Sequence, residues 1–229
     1  MSTINPPMTF DDMIWPSPET REIVEVACLP GKPLNLLFYG DPGTGKTTTM
    51  RLLASTSMRI LNPEMSEDET ESCLRGDSRW ITDESGYGLT VLGDIDEWSK
   101  FVPHNLAGRR WLLVDEIDNM KSDAQGKLKT LMDRLGPRGV QVLATTNHLH
   151  RIEPGVKDRF RTVQLDNIPF EAISAWVTSW LAREGLAPLA PTRLRQMITS
   201  ANCSVRRVQN DLDVYARQCR FRVVAGGLR

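Results

Sequence analysis

The sequence predicts an α/β fold: a parallel sheet sandwiched between helices, followed by a small C-terminal helical domain. Three observations predict it. Apolar runs without in-and-out alternation, at residues 34–39, 110–114, 140–146 and 162–165, have the pattern of strands buried on both faces. Between them lie segments of helical spacing, the alternation expected of parallel strands joined by crossover helices. Beyond Pro169 only helical segments follow, at about residues 170–184, 191–200 and 204–219. A chain of 229 residues has room for one such core and a satellite. The division drawn is an arm over residues 1–20, an α/β domain over 21–168 and a helical domain over 169–229.

Each element has a local reason. The first twenty residues are rich in Pro, Ser and Asp and read as an extended arm. Residues 20–29 place Ile23, Val26, Ala27 and Leu29 on one helical face, and Pro30 with Gly31 ends that helix. The strand at 34–39 stops at Gly40, and a glycine loop leads into a helix over about 47–57. Residues 62–78 are acidic and polar and read as a surface loop, with a short strand at 79–82. Over 91–101 the spacing of Leu92, Ile95, Trp98 and Phe101 predicts a helix. The strand at 110–114 delivers Asp115 and Glu116, and an amphipathic helix over 124–135 is closed by Gly136-Pro137.

Composition narrows the class. An apolar fraction of 40% and a charged fraction of 25% are ordinary for a soluble globular protein. No apolar run approaches the ~20 residues needed to span a bilayer, and the N-terminus lacks the basic start and apolar stretch of a signal peptide. A cytoplasmic protein without a membrane partner is expected. Cys28, Cys73, Cys203 and Cys219 show no metal-ligand spacing, so free and mostly buried thiols are expected. The net charge of −1 exerts no global pull on nucleic acid. Its distribution is uneven: eleven acids against two arginines over residues 64–97, and eight arginines against two acids over 193–229. That polarity suits head-to-tail packing, an anionic ligand at one end, or two solvated faces.

The chemistry is carried by two motifs. Gly40-Asp41-Pro42-Gly43-Thr44-Gly45-Lys46-Thr47 fits the G-x-x-x-x-G-K-[ST] phosphate loop between a strand and a helix. Its glycines let main-chain N–H groups curl around a β-phosphate, and the helix N-terminus adds partial positive charge. Residues 41–48, ending in Thr48, are the expected ATP contacts; Lys46 reaches the β/γ-phosphates and Thr47 is a Mg²⁺ ligand. At the carboxyl end of the strand at 110–114, where open α/β sheets bind ligands, Asp115 can orient Mg²⁺ and Glu116 can polarise the attacking water.

Together these motifs resemble those of AAA+ ATPases, and most of all the clamp-loader (replication factor C) small subunits, from about Pro7 to Leu212. Pro7-Met8-Thr9-Phe10-Asp11-Asp12-Met13-Ile14 is similar to the family's arm before the adenine pocket, with Trp15-Pro16 in place of its usual Gly-Gln. The resemblance implies that Asn147, ending Ala144-Thr145-Thr146-Asn147, is the sensor that positions the lytic water. It implies that Arg159, in the segment that resembles the family's Ser-Arg-Cys, is a finger reaching a neighbour's nucleotide, with Arg161 a rival. In Asn202-Cys203-Ser204-Val205-Arg206-Arg207 it implies that Arg206 contacts the γ-phosphate from the lid. Lys129 falls where the family carries a basic residue facing DNA and the active site.

The polymer worked on stays open. Residues 80–86 resemble the clamp-loader segment leading to the DNA chamber, whereas Gly86-Tyr87-Gly88 also looks like the aromatic pore loop of protein unfoldases. Three readings follow: a loader acting on DNA and a ring-shaped replication protein, a motor pulling polypeptide past Tyr87, or an ATP-gated scaffold. All imply a homo- or hetero-oligomer, a pentamer or hexamer in a ring or spiral. The sequence ends near the last lid helix, so a collar domain is not expected within it.

Overall fold

The computed structural model describes residues 7–82 and 87–226. They form two compact units: the described parts of residues 18–40 and 46–164, and those of 1–17, 41–45 and 165–229.

The first unit holds five strands: β1 (Leu36–Tyr39), β2 (Ser78–Ile81), β3 (Arg110–Val114), β4 (Val140–Thr146) and β5 (Arg161–Gln164). Their order is β2-β3-β4-β1-β5, and every pairing is parallel, so all the carboxyl ends share one edge. Val114 pairs with Ala144 and Tyr39 with Thr146, a register that brings Gly40, Asp115 and Thr145 to that edge. β3 and β4 are buried at every position, which is why continuous apolar runs marked them in the sequence.

The helices of this unit are α1 (Pro18–Val26), α2 (Lys46–Leu61), α3 (Glu67–Asp77), α4 (Leu89–Trp98), α5 (Ser122–Leu135) and the single turn α6 (Pro154–Lys157). α5 buries Ala124, Leu128, Leu131, Met132 and Leu135, and these join Leu37, Leu112, Val114, Val142 and Ala144 in one core. Full burial of each large aliphatic chain contributes about 1.5–3 kcal/mol, so this seam fixes α5 on the sheet. α2 packs on β1 and β4, burying Met50, Leu53, Ala54 and Met58.

Several expectations are corrected. Residues 67–77 are helical, not loop. Ser66 caps α3: Glu69 Oε2 accepts the Ser66 N–H at 2.8 Å, while Ser66 Oγ accepts the Glu69 N–H at 3.3 Å. Glu67, Asp68 and Glu69 in the first turn complement the helix dipole, which a charge-based reading takes for loop polarity. α1 starts at Pro18 and buries Val24, with Ala27 and Cys28 buried just beyond it and Val26 and Leu29 about half exposed. α4 stops at Trp98, leaving Phe101 71% exposed. Of the four free thiols only Cys28 is buried. It lies between α1 and α2, its Sγ against the carbonyls of Val24 and Leu53 at 3.5 and 3.7 Å, and burial pushes the thiol up to about 12.

At the amino edge of the sheet, Asp77 precedes β2 with a side chain 1% exposed. Its carboxylate accepts the main-chain N–H groups of His104 and Asn105 and the Asn105 amide, at 2.6–3.0 Å. His104 Nδ1 lies 3.0 Å away. That network pins the loop between α4 and β3.

The second unit is α7 (Phe170–Arg183), α8 (Pro191–Ser200) and α9 (Val205–Gly226). They share a core of Ile173, Val177, Trp180, Leu181, Ile198, Val208, Leu212 and Ala216. Gly185, at φ 65°, ends α7: the Leu186 and Gly185 N–H groups donate to the carbonyls of Leu181 and Ala182. No helix among the described residues is long and apolar enough to cross a membrane.

Candidate nucleotide site

The loop after β1 turns on glycines. Gly40, Gly43 and Gly45 have φ of 138°, 87° and 94°, in the half of backbone space that side chains disfavour. Lys46, the first residue of α2, is buried and donates from Nζ to the Gly40 carbonyl at 2.8 Å. Thr44 Oγ1 donates to the Asp41 carbonyl at 3.0 Å. Asp41 and Pro42 are exposed, and Thr47 and Thr48 half-buried.

Within the helical unit, the loop meets the start of α9. The Arg206 N–H donates to the Gly43 carbonyl at 3.2 Å. A Cβ at Gly43 would come within 2.7 Å of Ser204 Oγ and 3.1 Å of Arg206 Cβ, so only glycine permits this approach. The turn into α9 carries two left-handed non-glycine residues, Asn202 and Cys203, at φ 50° and 54°. Such conformations persist where surrounding contacts over-determine them.

The carboxyl edge of the sheet gathers the acids. Thr47 Oγ1 donates to Asp115 Oδ1 at 2.8 Å. Thr145 Oγ1 donates to the same oxygen at 2.5 Å and accepts the Glu116 N–H at 2.8 Å. Glu116 is itself left-handed, at φ 50° and ψ 53°. Its carboxylate accepts from the amides of Asn147, 3.4 Å to Oε1, and Asn119, 3.1 Å to Oε2. Lys46, Thr47, Asp115, Glu116 and Asn147 thus lie in the sheet unit, and residues 41–45 with Arg206 in the helical one.

This donor set suits a small hard cation. The hydroxyl and carboxylate oxygens of Thr47 and Asp115 lie 2.8 Å apart. Mg²⁺ keeps several waters in its shell, so a carboxylate bonded to a ligating hydroxyl can hold one of those waters. Among the described residues no group of three or more His, Cys, Asp or Glu side chains could hold a metal. A hydroxyl beside a carboxylate matches the way Mg²⁺ is held, by one or two protein oxygens with water and phosphate.

Other expected residues lie elsewhere. Arg159, between α6 and β5, pairs with Asp133 of α5 through Nε at 2.7 Å and Nη2 at 2.6 Å, and donates from Nη1 to the Gly155 carbonyl. That hydrogen bonding holds the Asp133 carboxyl below its ordinary range and raises the guanidinium. The Lys129 stem lies beside Gly155, and Arg161 is exposed at the start of β5. Tyr87 is not a free aromatic: its hydroxyl donates to the Asp115 carbonyl at 2.8 Å and its ring packs on the core. Gly88 is exposed at the N-cap of α4, and Gly86 lies outside the described residues. Sequence reasoning missed Thr145, Asn119, Asp133 and Ser204. The pair of hydroxyls ending an apolar strand, Thr145-Thr146, was the one available signal for Thr145.

A family model for the ATPase family associated with various cellular activities (AAA) matches residues 36–166, from β1 past β5. The chain belongs to the AAA family. Among curated proteins, this AAA chain is 27% identical over 214 residues to Replication factor C small subunit 2 of Pyrobaculum aerophilum, covering 92% of this chain and 61% of that protein. It is 27% identical over 188 residues to Replication factor C subunit 3 of Saccharomyces cerevisiae, covering 80% and 50%. The chain spans about three fifths or less of the length of these relatives. Its AAA fold matches domain III of the Thermotoga maritima replication initiation protein DnaA with a TM-score of 0.63, at 20% identity over 98% of this chain and 92% of that one.

Proposed function

We propose that this AAA chain binds ATP with Mg²⁺ and hydrolyses it within an oligomer that loads or remodels a DNA replication or recombination assembly. The observation that carries the ATPase reading is the acid pair: Asp115 joined to the Thr47 hydroxyl, and Glu116 left-handed one residue on. Residues 41–48 would wrap the phosphates, with Lys46 beside them. Thr47 and Asp115 would hold the Mg²⁺, which when bound offsets negative charge on the phosphates. Glu116 accepts a proton from the attacking water, and Asn147, already bonded to it, orients that water. Arg206 is assigned to the γ-phosphate, a role that the bond from its N–H to the Gly43 carbonyl of the phosphate loop supports.

Arg159 is assigned as the finger acting in a neighbouring subunit, where an added guanidinium lowers the barrier to γ-phosphate cleavage. DNA as the polymer is supported by the likeness to replication factor C subunits over most of the chain. The occupied Tyr87 hydroxyl weighs against a polypeptide grip at that residue.

The decisive experiment separates binding from turnover. Lys46→Ala should abolish nucleotide binding, whereas Glu116→Gln should bind nucleotide and release no phosphate. Equal loss of binding in both would overturn the assignment. Stimulation of wild-type hydrolysis by primed DNA, steepening with protein concentration, tests the DNA-coupled oligomer; stimulation by unfolded polypeptide alone would refute it.

A further inference from the structure

We infer that Thr145 is a positioning residue whose single hydroxyl sets both acids of the site, orienting the Asp115 carboxylate for a divalent cation and holding the Glu116 backbone in its left-handed turn. The inference rests on the reading of Asp115 and Glu116 given above. It starts from the hydroxyl's inventory of one proton and two lone pairs. The proton goes to Asp115 Oδ1 at 2.5 Å, and a lone pair receives the Glu116 N–H at 2.8 Å. One atom is therefore bonded to two consecutive residues of the neighbouring strand end. The parallel register makes this possible, because Val114 faces Ala144 and the next residues, Asp115 and Thr145, fall side by side.

Three further observations give the contact a function. Thr145 is 1% exposed, so water has no room to replace the hydroxyl. Asp115 Oδ1 also receives the Thr47 proton at 2.8 Å. Two protons on one carboxylate oxygen occupy both its lone pairs and fix the plane of the group, which leaves the other oxygen to act on a cation's water shell. At Glu116 the chain leaves the sheet, so its N–H needs a partner from outside the ladder, and a left-handed non-glycine residue needs one that holds. The amides of Asn147 and Asn119 hold the far end of the Glu116 side chain, and Thr145 holds the near end. A hydroxyl that merely filled a buried hydrogen bond would matter to stability alone.

The test compares Thr145→Val, Thr145→Ser and wild type, with Asp115→Asn and Glu116→Gln alongside. Cation affinity is read without turnover, by titrating Mn²⁺ into protein saturated with a non-hydrolysable ATP analogue and following the free-ion paramagnetic resonance signal. Thr145→Val should weaken Mn²⁺ binding and lower kcat, each by about 10–100-fold, while metal-free nucleotide binding is unchanged. Thr145→Ser, which keeps the hydroxyl, should restore both. Should the valine variant not fold, Thr145→Ala replaces it, since it cannot overpack the site. Wild-type Mn²⁺ affinity and kcat in a folded valine or alanine variant would overturn the inference, as would serine failing to rescue. If Asp115→Asn and Glu116→Gln also leave both quantities unchanged, the underlying reading of the acids falls and takes the inference with it.

Discussion

Two carboxylates, Asp77 buried and Asp115 half-buried, stand at opposite edges of the same sheet, and their partners differ in kind. Asp77 at the amino edge is surrounded by N–H donors from His104 and Asn105. Asp115 at the carboxyl edge is held by two hydroxyls, from Thr47 and Thr145. An N–H that donates has nothing left to offer a cation. A hydroxyl that donates keeps lone pairs on the same oxygen, so a carboxylate gripped by hydroxyls sits among further oxygen ligands. The first arrangement closes around its charge and locks a loop. The second leaves the charge usable.

The same substitution at both sites should break the symmetry most. Asp115→Asn is expected to lower phosphate release at least ~100-fold, with little change in denaturant midpoint, because threonine hydroxyls can turn and accept from an amide. Asp77→Asn should instead cost about 3 kcal/mol of unfolding free energy, because its new amide meets N–H groups that cannot turn. Hydrolysis per folded molecule should survive there, as measured on the soluble fraction. If both variants behave alike, the distinction fails.

Ligand linkage sharpens the contrast. Mg²⁺ with a non-hydrolysable ATP analogue at about 100 times its Kd should stabilise wild type and Asp77→Asn alike, by about 2.7 kcal/mol. Asp115→Asn should gain clearly less, as read from thermal midpoints. The smallest expected effect is at His104, whose main-chain N–H, rather than its exposed ring, supplies the essential bond to Asp77. His104→Ala should cost at most about 1 kcal/mol in a denaturant titration.

How much of this was readable beforehand differs between the two edges. β3 and β4 were delimited from sequence because complete burial leaves a continuous apolar signature. The phosphate loop was readable because its glycines are forced by backbone geometry. α3 was not, because a helix polar on most faces carries no hydrophobic period, and its signature was the short cap Ser66-to-Glu69. Thr145 was invisible as a site residue because its meaning comes from register with a strand thirty residues earlier. The pairing of Arg159 with Asp133 and the loop around Asp77 are likewise products of packing. Local pattern announces elements and motifs, whereas partners chosen across the sheet do not.

Cys28 makes the seam between α1 and α2 a place where motion can be timed. With its thiol enclosed and pushed up to about 12, reaction with a small electrophile must wait for the helices to part. The rate of that reaction in native buffer counts transient openings of a seam whose second helix begins at Lys46. A nucleotide that tightens the first turn of α2 would then be felt at Leu53, two turns along, as a longer wait before the label takes hold.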